Sequence, residues 1–276
     1  MKLNNYDHKI PQISETVSDP MTRSYLQKIL EVQLGLLGVA NPEGLTQIVL
    51  TNATNLSQED YETESFNLLK NEGVLENVKE QLKNRSLVIY NEVKPYVQGT
   101  KVLDYGCGNG IVGQMLADDG FKIVLSDVYP HPELPKDLPY FDVSELKSDE
   151  QYDTVLLATV LHHADNAIEV FKHAISLTKK GGRLILVESI HGVKNDKEIS
   201  QLNLEQQWNA AAFIDHFANR VLYDPKNKIN VPYNFKTPEE WQKTFSDLGL
   251  KLLAAIDLGL DLPVFPEYHY LFVVEK

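Results

Sequence analysis

Apolar residues recur at helical spacing through the first hundred positions and gather into short strand-like runs after that. Between 21 and 37, Tyr25, Leu26, Ile29, Leu30, Leu34 and Leu37 share one helical face, and Asn41, Pro42 and Gly44 are expected to end that helix. Ser57 with Asp60 predicts the start of a second helix that stops near Gly73. Val74, Leu75, Val78 and Leu82 begin a third, which runs toward Tyr96. Positions 1 to about 19, polar and carrying Pro11 and Pro20, read as an arm rather than a core element.

From residue 101 onward, β-rich runs at 101–104, 122–126, 154–158 and 183–188 alternate with helical ones. Such alternation implies crossover helices and a doubly wound, mostly parallel α/β sheet. The stretch 179–182 is expected to close a helix with glycine and re-enter a strand at once. About 45 residues, 190–235, break the rhythm and read as an insertion after the fifth strand. They hold Trp208, Phe213, Phe217, Tyr223 and Tyr233 with His191, Asp215, His216 and Arg220. Thr237, Pro238 and Glu240 then open a helix that Gly249 closes, and strands near 251–256 and 269–274 complete the sheet. The expected division is a helical cap, 1–98, and an α/β domain, 99–276, carrying the insertion.

Composition narrows the function classes. A formal charge of −13 with no run of five basic residues argues against a nucleic-acid partner or an anionic membrane surface. The single cysteine, Cys107, excludes an intramolecular disulfide, and no apolar run reaches the roughly 20 residues of a membrane span. A soluble protein of the reducing cytoplasm is expected, of undefined oligomeric state.

The chemistry gathers at VLDYGCGNG, 102–110, where a buried strand ends in an acid and runs into a glycine-rich turn before a helix. Glycines let backbone approach a ligand and adopt angles that a Cβ forbids. This stretch resembles the first motif of class I S-adenosylmethionine-dependent methyltransferases. The resemblance implies a seven-stranded Rossmann-like sheet and S-adenosylmethionine as cofactor, with Asp104 near its methionyl end and Tyr105, Gly106, Gly108, Asn109 and Gly110 wrapping it. It further implies Asp127, ending KIVLSD, as the ribose acid with Val128 beside adenine, and Asp142 with Val143 at the adenine amino group. Thr159 and Val160, in YDTVLLATVLHHADN, would flank the methionyl part. Gly108, Gly110 and Gly113 also spell the dinucleotide pattern G-x-G-x-x-G, but the frame that fits the strand end starts at Gly106. Cys107 reads as a small side chain packed under the cofactor.

Methyl transfer from a sulfonium needs an acceptor held in line and, for a hydroxyl or carbon acid, a base. His191, just past the strand 183–188, and His216, beside Asp215, are the first candidates; His163 and Tyr223 follow, and Arg220 is a candidate anchor for an anionic group. His162 and His163 are adjacent, so at most one is expected to face the cleft; alone they would make a poor metal site, and no metal is expected. The reading is a methyltransferase acting on O, C or N of a small organic acceptor, in a pocket between the N-terminal helices and the insertion. A non-catalytic cofactor-binding regulator and an NAD-dependent dehydrogenase are the alternatives.

Overall fold

A computed structural model of the protein describes residues 12–147, 149–222 and 229–276. The N-terminal region is helical: α1 (Ile13–Thr16), α2 (Pro20–Leu36), α3 (Pro42–Asn55), α4 (Gln58–Asn71) and α5 (Val74–Val93). Asp19 caps α2, accepting the Thr22 N–H at 2.8 Å, with Pro20 in the first turn. Asn41 and Pro42, read as a stop, are the cap and first-turn proline of α3, which the sequence reading lacked. A signal that breaks one helix and starts the next looks the same from either side. The expected arm is also partly core, because Ile13 and Val17 are buried.

The α/β part runs β1 (Lys101–Tyr105), α6 (Ile111–Asp118), β2 (Lys122–Asp127), β3 (Tyr140–Asp142), β4 (Tyr152–Ala158), α7 (Ala167–Leu177) and β5 (Thr178–Ser189). After the insertion, which carries α8 (Leu204–His216), come α9 (Pro238–Asp247), β6 (Lys251–Leu262) and β7 (Phe265–Glu275). The seven strands lie in the order β3-β2-β1-β4-β5-β7-β6, parallel except for β7, which is antiparallel to both neighbours. The order reverses direction between β1 and β4, the switch point at which open α/β sheets bind ligands. Residues 179–182 are not a helix end: α7 stops at Leu177, Thr178 already pairs with Tyr152, and the register slips before Arg183 joins Thr154.

Both faces of the sheet are covered, so its central strands are apolar at successive positions rather than alternating ones. Leu103, Val155, Leu157, Leu184 and Leu186 join a core with α2, α7, α8 and α9, while Val102, Leu156, Ile185 and Val187 join one with α6 and the end of α5. Helix α5 thus serves both layers, with Val74 and Val78 in the first core and Ile89 and Val93 in the second. The β6–β7 hairpin extends beyond the strands read from sequence, and its tip meets the N-terminal helices: Gln33 Nε2–H donates to the Val264 carbonyl at 2.7 Å, and Arg85 pairs with Asp261. The insertion closes on itself through a bridge between Ile190 and Lys236.

Candidate active site

The donor side of the cleft is built from backbone. Gly106 (φ +78°) donates its N–H to the Ser126 carbonyl at 2.7 Å, and a Cβ there would stand 2.5 Å from Val160 Cγ2. Gly108 (φ +53°) donates to Asp127 Oδ2 at 2.9 Å and faces open space. Gly110 (φ +73°) is the left-handed residue that starts α6. Asp127 also accepts the Val128 N–H, at 2.7 Å through Oδ1, so its carboxylate holds the turn and keeps further lone pairs for a ligand. Gly113 brings α6 close to the sheet, where a Cβ would meet Leu125 at 2.4 Å.

Asp104 is buried, and its Oδ2 has no hydrogen-bond partner among the described residues. Burial and the nearby Asp127 push it up to about 7. Burial raises the Cys107 thiol as well, which disfavours the thiolate form. The Tyr105 side chain lies in the core with its hydroxyl 3.1 Å from His173 Nδ1, so only its backbone borders the turn. Asn109 accepts the Ile111 N–H at the start of α6. Asp142 lies beside Asp127 across the β2–β3 register, and its Oδ1 accepts the Ser144 N–H and hydroxyl, which lower it. Val128 and Phe141, 60% and 40% exposed, form an apolar rim there, with Val143 beginning the turn that follows.

The acceptor side is built from side chains. Beyond β4, Thr159 has φ +57°, a left-handed conformation that costs a β-branched residue about 1–3 kcal/mol and is held by its N–H on the Val187 carbonyl. A short 3₁₀ turn, Leu161–His163, follows. Buried Glu188, the penultimate residue of β5, accepts the N–H groups of Val160, Leu161 and His162 at 3.1, 2.8 and 3.3 Å and His162 Nδ1–H at 2.7 Å. Burial opposes charge on His162, but Glu188 outweighs it and raises the imidazole to about 9. His163 donates Nδ1–H to the Asn230 carbonyl at 2.9 Å; burial and His162 keep it neutral.

Contrary to expectation, both histidines converge. Their rings are 4.1 Å apart, and the two Nε2 atoms lie 4.0 and 3.9 Å from Oδ1 of Asp215 on α8. The one-face rule holds for α-helix; this tight turn ends in an extended Ala164, and the rings tilt 44° to each other. Asp215 is buried and pushed up to about 7 by that burial; its Oδ1 accepts from Asn219 at 2.7 Å.

The other expected groups are placed differently. His216 is fully buried between Glu62 Oε1 (3.2 Å) and the Tyr233 hydroxyl (2.6 Å), and Arg220 reaches the same Glu62 at 3.3 Å and the Ile229 carbonyl. They tie α8 to α4 rather than facing a cleft. Tyr61, Phe213 and Phe217 fill the surrounding space, so the N-terminal helices and the insertion meet as packed core where the acceptor pocket was expected. His191 is partly buried just beyond β5, and Tyr223 lies outside the described residues. A mostly apolar void of about 10 Å³, room for no more than a single water, lies under α8 between Ser189, Ile190, Ala211, Ile214, Phe235 and Glu267.

Sequence reasoning missed Glu188, Glu62 and Asn230. The signal for Glu188 was available, since an acid at the end of LILVES must be buried and paired. Glu62 and Asn230 carry no local mark.

A family model described as a methyltransferase domain matches residues 73–255, more than half of the chain. The chain belongs to that family. Among curated proteins it is 25% identical over 174 residues to a ubiquinone biosynthesis O-methyltransferase of Rickettsia canadensis, and 28% over 112 residues to one of Xanthomonas euvesicatoria. These matches cover 59% and 35% of this chain and span 66% and 46% of the relatives. A Burkholderia thailandensis 1,6-didemethyltoxoflavin-N1-methyltransferase is 13% identical with a TM-score of 0.46, covering 70% of this chain and 76% of the other.

The methyl donor of the family is S-adenosylmethionine, and the residues present fit it. The turn at Gly108 opens onto free space where backbone can meet a ligand, Asp127 keeps lone pairs beyond those that hold the turn, and Oδ2 of buried Asp104 has no hydrogen-bond partner among the described residues. The dehydrogenase alternative falls with the family assignment.

Proposed function

We propose that this methyltransferase acts on an oxygen of a small organic acceptor brought to the carboxyl ends of β4 and β5. The carrying observation is the convergence of His162, His163 and Asp215, next to Thr159 and Val160, which border the glycine turn. When bound, S-adenosylmethionine supplies an activated methyl group on a sulfonium. The chain's own residues then orient the acceptor, exclude water and receive a proton. His163 is best placed of the expected bases, because its fixed Nδ1–H leaves Nε2 directed toward Asp215. Expected roles for Asp127 and Val128 at ribose and adenine, Asp142 and Val143 at the adenine edge, and Thr159 and Val160 at the methionyl group belong to the same proposal. The O-methyltransferase names of the curated relatives support oxygen over nitrogen or carbon.

The test is transfer of a labelled methyl group from S-adenosylmethionine to a panel of small phenols, alcohols and amines. Label on oxygen is expected, with His163→Ala losing roughly 100-fold or more in kcat at unchanged donor affinity. Label on amines alone would overturn the choice of oxygen. Tight donor binding without transfer to any compound would favour the regulator.

A further inference from the structure

We propose that His162, His163 and Asp215 form a binding site for one divalent transition-metal ion, zinc foremost. Each residue offers one ligand atom, and the three atoms lie within 4.8 Å of one another. Two imidazole nitrogens and a carboxylate oxygen are a donor set suited to zinc or ferrous iron rather than to magnesium or calcium. Moving the ligand atoms from 3.9–4.0 Å apart to the ~3.4 Å implied by tetrahedral bonds of about 2.0–2.1 Å is a shift of roughly half an ångström.

The surroundings are those of a metal site as well. A carboxylate and a carbonyl can only accept, so His162 and His163 must donate Nδ1–H to Glu188 Oε2 and to the Asn230 carbonyl. That leaves Nε2 as the ligand atom on both rings and fixes both ring orientations, as outer partners of metal-bound histidines do. Asp215 adds a second, independent mark. The residue is completely buried, Asn219 is bonded to Oδ1, and Oδ2 has no hydrogen-bond partner among the described residues. A buried carboxylate oxygen without a donor is costly; Oδ1 is the atom nearest the two Nε2 atoms, and a cation held by both carboxylate oxygens would satisfy Oδ2 as well.

Three protein ligands leave at least one coordination position open, the pattern of catalytic rather than structural zinc. An oxygen or nitrogen donor on a small ligand is the group such a position would take. The inference does not depend on which atom is methylated. It does change the part played by His163, from base to ligand.

Untagged protein stripped with a chelator and titrated with zinc chloride by calorimetry should bind one equivalent with a Kd below about 1 μM. Asp215→Asn and His163→Gln should each weaken it at least about 100-fold, and Glu188→Gln about 10–100-fold, the range for an outer partner. Cobalt(II) added to the stripped wild type should give the intense visible bands of a four-coordinate site, a readout that needs no variant to fold. Circular dichroism shows whether each variant is folded. Wild-type protein that takes up no stoichiometric zinc and gives only the weak spectrum of hydrated cobalt would overturn the proposal, as would zinc affinity unchanged in both folded ligand variants. Methyl transfer by metal-free protein that also fails both binding tests would leave the proposed function standing and remove the metal alone.

Discussion

The two sides of the cleft are made in different ways. The donor side comes from contiguous stretches, with Asp104 to Gly110 in one turn and Asp127 at the next strand end, and backbone does most of the work. The acceptor side takes His162 and His163 from after β4, Glu188 from β5 and Asp215 from α8; behind it, Glu62 from α4, His216 from α8 and Tyr233 from beyond it form a second buried cluster that faces no cleft. These buried polar groups hold one another in place. A backbone cradle tolerates change in most side chains but not in its glycines, whereas a network of buried charges ties recognition to stability. Loss of the Asp127 carboxylate on the donor side should therefore alter affinity and leave folding nearly intact; variants on the acceptor side should do the reverse.

The largest effect is expected from Glu62→Ala. It strips His216 and Arg220 of a shared, buried partner, and breaking a buried pair this way costs about 3–5 kcal/mol. Denaturant unfolding should register that loss, while donor affinity in the surviving folded protein stays within about threefold. A stability within 1 kcal/mol of wild type would mean that this side is not held by its ion pairs.

Gly106→Val comes next and should lower both stability and donor affinity. The left-handed φ and the 2.5 Å approach to Val160 leave no room for a branched Cβ, so S-adenosylmethionine affinity should fall at least about 100-fold by calorimetry. Unchanged affinity would break the comparison at its strongest point. Asp127→Asn should cost roughly 10- to 100-fold, the scale of a pair of charge-assisted hydrogen bonds at about 1.5–3 kcal/mol. Binding equal to wild type would remove Asp127 from the cofactor's ribose.

The smallest effect reverses sign. With its folded-state pKa at about 7, above the ordinary 3.8, buried Asp104 favours folding when protonated, and that contribution fades as pH rises from about 4 through 7. Asp104→Asn should raise the stability of cofactor-free protein by about 1–3 kcal/mol at pH 8 and hardly change it at pH 4, while weakening donor binding. Equal unfolding midpoints at pH 8 would show that Asp104 is not strained by burial.

The same contrast accounts for what the sequence made legible. The glycine turn, the acid ending β2 and the Thr237–Glu240 cap of α9 are local signals, since each residue's partner lies within a few positions or one strand away. The parallel pairing follows from the βα alternation, but the strand order, the antiparallel seventh member and the long hairpin do not, because antiparallel pairing leaves no mark in strands already apolar on both faces. The acceptor side was read as separate histidines, His191, His216 and His163. Which of them meets a carboxylate depends on pairs such as His163 with Asp215, or Glu62 with His216, that only the packed chain defines. Asn41 and Pro42 failed for a different reason: the same two residues signal an end and a beginning.

The contact between Gln33 and Val264 has a consequence for the making of the protein. Its two halves are separated by 231 positions, and Arg85 waits 176 for Asp261. At about 5–20 residues per second of synthesis, roughly 10–50 s pass between the emergence of α2 and that of the hairpin on which it rests. Through that interval the stripe of Leu26, Leu30 and Leu34, buried in the finished molecule, has no β7 to lie against. Helix α2 can settle early against α3 but completes its packing only when α8 and the hairpin are made, a topology of high sequence separation that slows folding and gives holding chaperones a defined segment to shield.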